Sequence, residues 1–395
     1  MEIQVHYDGQ LVGTLADTSR GIVFEYERNF LASGQELSPL NLPLGPGLRQ
    51  RAPQQLPGLF EDSLPDSWGR RLMTEWFRRD GRGADAATPL AMLAYVGSRG
   101  MGALAYQPAC ELEQEKGALS LARLAEASAC AEAEGKIDLA ALAAVGSSAG
   151  GARPKALLAL PLEGSGPILS GAGEAPSTHE AWLIKFDTSR DGTAGSMEEA
   201  YARLARAAGL EVPETRLLET RDERGARRHF AVKRFDRDRG RRIHHHTLAA
   251  LCQAGGGDLD YQTFLRVTRR LTRDNDEVRR AFRRAVFNVL AGNRDDHGKN
   301  HGFLYQDRQW KLGPAYDLTF VSPAQLPERG MAIQGERRAA DRSHLLRLAE
   351  SEGLERRAAL AVIEEVWAAI LRWREFADAA QVPRARAAEV ESLLG

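Results

Sequence analysis

Residues 2 to 15 alternate apolar and polar side chains, the period of a half-buried strand, with "YDGQ" (7–10) as a turn inside the run. "GIVFEYERNF" (21–30) predicts a second strand, and "LPGLFEDSLPDSWGRRLMTEWFRR" predicts a loop and then a helix from about Ser67 to Arg78, with either Asp66 or Ser67 as its cap. After "PLAMLAYVGSRGMGALAYQP" (89–108) the composition turns rich in Ala and Glu, which places a boundary near residue 108. Two Ala-rich helices are then expected before "VGSSAGGARPKALLALPLEG" (145–164), a glycine loop entering an apolar strand. Residues 161–180 form a Gly/Ser/Pro insertion that interrupts any helix, and "AWLIKFD" (181–187) is a compact apolar strand. A helix from about Ser196 to Ala208 and a strand pair over 214–237 follow.

Beyond residue 238 the pattern reads as almost wholly helical. In "DEVRRAFRRAVFNVL", Val278, Phe282, Ala285, Val286, Val289 and Leu290 fall on one face at the 3.6 period, and Gly292 closes the run. The last long helix repeats this with Ala359, Ile363, Val366, Ile370 and Trp373, and Trp367 and Trp373 read as core. The order predicts an α+β, two-lobed architecture: a β-rich N-terminal lobe that includes an N-terminal β subdomain, and an all-helical C-terminal lobe. The expected segments are 1–108, 109–237 and 238–395.

Composition adds bounds. A chain of 395 residues is long enough for two or three cores, and a formal net charge of -1 gives no global bias toward nucleic acid or anionic membrane. The first residues lack a basic and apolar leader and no run approaches 18 apolar residues, so the cytoplasm is the expected compartment and no membrane partner is expected. Cys110, Cys130 and Cys252 fit neither a disulfide framework nor a zinc spacing and read as buried thiols. Of the 53 basic residues only 7 are Lys (116, 136, 155, 185, 233, 299, 311), the rest being Arg. In so Arg-rich a chain, a retained Lys marks places where a compact ammonium suits better than a planar fork. The Arg-rich stretches 224–242 and 269–284 interleave acids and read as solvated faces. "HHH" (244–246), expected on a helix, would point its imidazoles in different directions and makes a poor metal site.

The chemistry concentrates in "NRDDHGKNHGFLYQDRQWKLGPAYDL" (293–318). Asp295 and Asn300 stand at the D-x-x-x-x-N spacing by which protein kinases place a catalytic Asp and a metal-binding Asn. One carboxylate orients the attacking hydroxyl, while a neutral carboxamide joins the metal shell without adding charge. "GFLYQDRQWKL" alternates across a turn at Gln306 to Arg308, which would carry Asp317 back to the end of the hairpin that holds Asn300. Two carboxylates so placed repel by roughly 4 kcal/mol at an effective dielectric near 20, and Mg²⁺ would offset this. The plainer alternative is that Asp295 and Asp296 cap one turn and Asp317 the next helix.

A phosphate-binding Lys is expected on an apolar strand, where Lys185 sits; Glu198, with Glu199 as competitor, could hold it in place. In "GSSAGGARPK" (146–155), Ser148, Gly150, Gly151 and Lys155 are candidate contacts to a nucleotide's phosphates, since glycines let backbone N–H groups close on an anion. In "AVKRFDR" (231–237), backbone groups near Lys233 and Phe235 could meet an adenine edge and Asp236 a ribose hydroxyl.

Taken with "VHYDGQLVGTL", "FEDSLPDSWGRRL", "WLIKFD", "VKRFDR", "RDDHGKN" and "YDL", the chain resembles the HipA-type serine/threonine kinases, toxin halves of bacterial toxin-antitoxin modules. The resemblance implies ATP and Mg²⁺ as cofactors, Asp295 as catalytic Asp, Asn300 and Asp317 as metal ligands, Lys185 as the phosphate Lys, and nucleotide contacts from Lys233, Phe235, Asp236, His297 and Tyr316. It implies inactivating autophosphorylation in the glycine loop at Ser148 or the adjacent Ser147. It also implies a small HipB-like helix-turn-helix antitoxin as partner, DNA contact only through that antitoxin, and an aminoacyl-tRNA synthetase as target. Asp296 departs from the family's more usual Gly, adding a charge beside Asp295. Two other readings stay open: a small-molecule kinase of aminoglycoside or choline type, against which Asn293 stands where those enzymes place His, and a degenerate kinase acting as a corepressor through its antitoxin.

Overall fold

The alternation over residues 2–18 folds as two antiparallel strands, Glu2–Tyr7 and Gln10–Thr18, joined at Asp8 and Gly9, whose φ angles of 49° and 74° are those of a type I′ hairpin turn. Ile3, Val5, Val12, Leu15 and Phe24 are fully buried, so one face of the pleat supplies the core. With Gly21–Tyr26, Arg49–Gln50 and Leu104–Gln107 these strands make a five-stranded sheet, in the order Arg49–Gln50, Gly21–Tyr26, Gln10–Thr18, Glu2–Tyr7, Leu104–Gln107. The computed structural model describes every residue except 82, 84, 85, 113–116, 143, 144, 146–149, 164, 165, 224, 256 and 395. It divides into two units, Met1–Arg190 with Leu218–His246, and Asp191–Leu217 with Thr247–Gly395.

The first unit holds a second five-stranded sheet, ordered Leu169–Ser170, Lys155–Pro161, His179–Lys185, Gly225–Lys233, Thr215–Asp222. Lys155–Pro161 is buried along nearly its whole length, as a central strand covered on both faces should be. One covering element is the helix Ser67–Arg79: Trp68 and Leu72 join Leu158, Trp182, Ile184, Phe186 and Ala231 in a single apolar cluster. A fully buried side chain of this size contributes about 1.5–3 kcal/mol relative to exposure, so the N-terminal segment is fastened to the second sheet by ordinary core packing.

In the second unit the helix Asn275–Leu290 carries the predicted apolar face, with Val278, Phe282, Ala285, Val286 and Leu290 buried and Asp274 capping it through Asp276 N–H at 2.8 Å. Against it lies the hairpin Gly302–Gln306 and Gln309–Leu312. The helix Ala194–Ala207 belongs to this unit; Tyr201 is fully buried and donates its hydroxyl to Ala291 O at 2.7 Å. Sheets thus occupy the N-terminal region and helices the C-terminal one. Among the described residues no helix is long and apolar enough to cross a membrane.

Several expectations need correction. The helix expected from Ser196 begins at Ala194, so Glu198 lies past the first turn and the helix dipole does not account for it. The stretch beyond 238 contains strands as well as helices, and His244–Thr247 is one of them. Trp373 opens its own helix, Trp373–Ala379, rather than ending Arg356–Ile370; it is buried, whereas Trp367 is half-buried beneath the Arg342 guanidinium at 5.2 Å. The three cysteines form no disulfide and are half-buried, not buried.

Candidate active site

The turn of the hairpin falls at Asp307 and Arg308, with φ of 51° and 62°. Two consecutive left-handed residues define a type I′ turn, whose twist matches that of the strands it joins. The register Phe303↔Leu312, Leu304↔Lys311, Tyr305↔Trp310 continues to Gly302, whose carbonyl accepts from Gly313 N–H at 2.8 Å. Asn300 and Asp317 therefore emerge from the same end of the hairpin. Their neighbours touch: Tyr316 donates its hydroxyl to Lys299 O at 2.6 Å. The long helix fixes this end from behind, because Glu277 Oε2 accepts from Leu312 N–H at 3.1 Å and Arg284 donates to Gly313 O at 2.6 Å.

Asn300 ends a single 3-10 turn, Gly298–Asn300, and its Nδ2 donates to Asp295 O at 2.8 Å. This bond ties the two ends of the D-x-x-x-x-N segment and turns the amide oxygen of Asn300 away from Asp295 O. Asp317 has φ of 57°, a left-handed conformation that costs a non-glycine residue about 1 kcal/mol. Strain of that kind persists where surrounding structure dictates a side-chain direction. The Asp295 carboxyl is mostly exposed, and His297 Nε2 approaches its Oδ1 at 3.7 Å.

Asp296 behaves oppositely. It is fully buried and accepts from Tyr261 Oη at 2.7 Å, Arg329 Nη1 at 2.7 Å and Met331 N–H at 3.4 Å. Burial pushes its carboxyl upward, opposed by the Arg329 charge and these donors. Arg329 reaches Asn293 O at 3.4 Å, and Asn288 links Tyr261 to Asn293 through bonds of 2.9 and 3.0 Å. Gly330 N–H donates to Arg294 O at 2.9 Å, and a Cβ on Gly330 would lie 2.5 Å from His297 N, so only glycine lets this segment press so closely on the loop. The extra charge beside Asp295 is consequently a buried brace turned away from it. The sequence alone carried no signal for this, since Arg329 lies 33 residues away.

In the first unit Lys185 and Lys155 are direct cross-strand partners. Like charges directly opposite one another are unfavourable, so these strand ends are suited to an anion. Lys185 also lies 5.7 Å from the Phe230 ring centroid. Lys155 donates to Gly150 O, and Gly151 takes φ of 108°. Ser147 and Ser148 lie outside the described residues. At the end of the Lys185 strand, Asp187 N–H donates to His229 Nδ1 at 3.0 Å, leaving Nε2 to carry the proton toward Thr220 Oγ1 at 2.8 Å; burial lowers this imidazole to about 4.

One candidate is placed differently from expectation. Asp236 is fully buried, and its two oxygens accept from Arg234, Arg237 and Gly102 N–H at 2.7–2.9 Å, leaving no face for a ribose hydroxyl. Burial raises this carboxyl, but Arg234 and Arg237 outweigh it and hold it below the usual carboxylate range. Lys233 is ion-paired to Glu180, and the Phe235 ring packs edge-on to His245 at 5.4 Å. Glu198 is buried. The histidine run sits on a strand, where His246 binds Ser38 Oγ at 3.0 Å and Asp62 Oδ2 at 2.6 Å. Ser38 is fully buried, so this Ser–His–Asp chain has no substrate-facing nucleophile and acts as a fastening. Among the described residues no three His, Cys, Asp or Glu side chains gather as a metal cluster.

Two family models match the chain: the HipA N-terminal domain over residues 3–107 and the HipA-like C-terminal domain over residues 147–374. The second covers more than half of the sequence, and the chain belongs to the HipA family. Y4mE of Sinorhizobium fredii, a protein whose name proposes a kinase, is 28% identical over 365 residues, covering 84% of this chain and 80% of its own. Y4dM of the same organism, named in the same way, is 29% identical over 38% of this chain and 39% of its own. Among solved structures, the Shewanella oneidensis MR-1 complex of HipA, HipB and operator DNA matches with a TM-score of 0.70 at 19% identity, over 99% of this chain and 95% of that one. At that identity the likeness speaks for the fold.

Proposed function

We propose that this protein is an ATP- and Mg²⁺-dependent protein serine/threonine kinase, the toxin of a HipBA-like toxin-antitoxin system of the cytoplasm. The observation that carries the reading is the end of the hairpin, where the Tyr316 hydroxyl bonded to Lys299 O draws the Asp317 segment to the Asn300 segment while Asn300 is tied to Asp295. A carboxamide oxygen and a carboxylate are hard donors that suit Mg²⁺, and two protein ligands leave room for phosphate oxygens and water, the usual arrangement for that ion at a nucleotide. When bound, the ion would neutralise charge on the β- and γ-phosphates.

In this reading Asp295 accepts the proton of a serine hydroxyl as its oxygen bonds to the γ-phosphorus; the bond from that phosphorus to the β–γ bridging oxygen breaks, and ADP leaves. Lys185 and Lys155 are the phosphate cations of the first unit, with Gly150 and Gly151 supplying loop backbone. His297, Tyr316, Lys233 and Phe235 remain proposed nucleotide contacts, whereas Asp236 is withdrawn from that role. Ser148 or Ser147 is the proposed site of inactivating autophosphorylation. The proposed partners are a HipB-like helix-turn-helix antitoxin, with DNA reached through it, and an aminoacyl-tRNA synthetase as target, whose modification would halt translation.

Incubation with γ-labelled ATP followed by phosphopeptide mapping tests this. Wild type should carry label at Ser148 or Ser147 and Asp295→Ala none; equal labelling of both would remove Asp295 from the chemistry.

A further inference from the structure

Asp66 occupies the N-cap of the helix Ser67–Arg79, with extended backbone. Asp is favoured there because its carboxylate accepts an N–H of the first turn. This one makes no such bond. Its Oδ2 accepts instead from Gly151 N–H, 85 residues later, at 3.0 Å. The contact is reciprocated: Gly151 O accepts from Trp68 N–H at 3.4 Å, and the Trp68 indole donates to Lys155 O at 3.0 Å. Lys155 closes the circuit by donating its ammonium to Gly150 O. The glycines permit it, since a Cβ on Gly150 would lie 2.7 Å from Asp66 Oδ2, and Gly151 holds a φ of 108° that other residues rarely adopt.

We propose that Asp66 is a positioning residue for the glycine loop. Through it the N-terminal domain holds the loop's second half in register with Lys155 and its cross-strand partner Lys185. A carboxylate would repel phosphate, so Asp66 is not itself a ligand. It acts from behind, holding the Gly151 N–H and so fixing the Gly150–Gly151 turn beside Lys155. The unused cap separates this role from simple helix support, because removing the Asp66 side chain takes no cap bond from the helix. The inference rests on the kinase reading only in taking the loop's ligand to be a nucleotide's phosphates.

The test compares wild type, Asp66→Ala and Asp66→Asn as full chains, by amide hydrogen exchange and by steady-state kinetics with MgATP. Loss of one such bond is worth roughly tenfold. In Asp66→Ala, exchange over residues 150–154 should quicken about tenfold with the strand Gly302–Gln306 unchanged, and the KM for MgATP should rise about tenfold with kcat within about twofold. Asp66→Asn keeps an acceptor oxygen and should restore both to within about threefold. Unchanged exchange in Asp66→Ala, an Asn variant as fast as the Ala variant, or loss of protection throughout the first unit would each overturn the proposal. If the exchange pattern holds while wild type neither binds MgATP nor transfers phosphate, the clamp stands and the kinase reading falls.

Discussion

Adjacent carboxylates in "RDDH" are given opposite tasks by their surroundings. Asp295 is mostly exposed, whereas Asp296 is fully buried against Arg329 and Tyr261. Removing one member of a buried ion pair leaves the other charge uncompensated, at a cost of about 3–5 kcal/mol. Asp296→Ala should therefore lower the unfolding free energy by that amount in urea titrations, while Asp295→Ala should change it by less than about 0.5 kcal/mol and abolish phosphate transfer. A similar loss of stability from both would show that the two acids are not divided in this way. That the hairpin returns the Asp317 segment to the Asn300 segment was legible in the sequence because alternation across a polar turn is a local signal. The role of Asp296 was not, since its partners are brought together only by tertiary packing. Asp236 misled for the converse reason: its spacing suits a ribose contact, yet three donors from the fold enclose it.

Among the elements, the hairpin was the most readable because period-2 alternation and a polar turn are local signals. Its turn is nevertheless made of Asp307 and Arg308, and arginine does not favour positive φ. Replacing the pair by Asp307→Asn with Arg308→Gly, residues suited to a type I′ turn, should stabilise the chain by about 1 kcal/mol, read as a higher urea midpoint without loss of nucleotide binding. The strand at His244 was misread because the partners of its side chains are distant in sequence. His246, for example, is bonded to Ser38 and Asp62, far off in sequence. In the Lys185 sheet, His229 carries a lowered pKa of about 4 through burial, outweighing Asp187. Its folded value lies below the unfolded value near 6.5, so the neutral ring's contribution is complete above pH 6.5 and is lost as pH falls toward 4. Between pH 7 and pH 5 this group should remove about 2 kcal/mol of stability. A His229→Gln variant should show a correspondingly flatter pH dependence in thermal melts, and an equal slope would contradict the assignment.

At the scale of the molecule, membership of the HipA family and the HipA fold organise the residues into a kinase-like whole whose N-terminal domain is more than an appendage: its helix packs into the same core as the Lys185 strand. Expression of the wild type should arrest growth, Asp295→Ala should not, and comparison of their phosphoproteomes should reveal a phosphorylated aminoacyl-tRNA synthetase; arrest by both forms would favour a binding role instead. The central claim is that the hairpin joins Asn300 and Asp317 into one cation site for a triphosphate. Calorimetric titration with ATP, in the presence and absence of Mg²⁺, tests it most directly. The account predicts that Asp295→Ala binds MgATP within about threefold of wild type, and that Asp317→Ala and Asn300→Ala each lose at least about tenfold in affinity, the loss being confined to the Mg²⁺-dependent part. Equal Mg²⁺-dependent affinity in wild type and Asp317→Ala would contradict it.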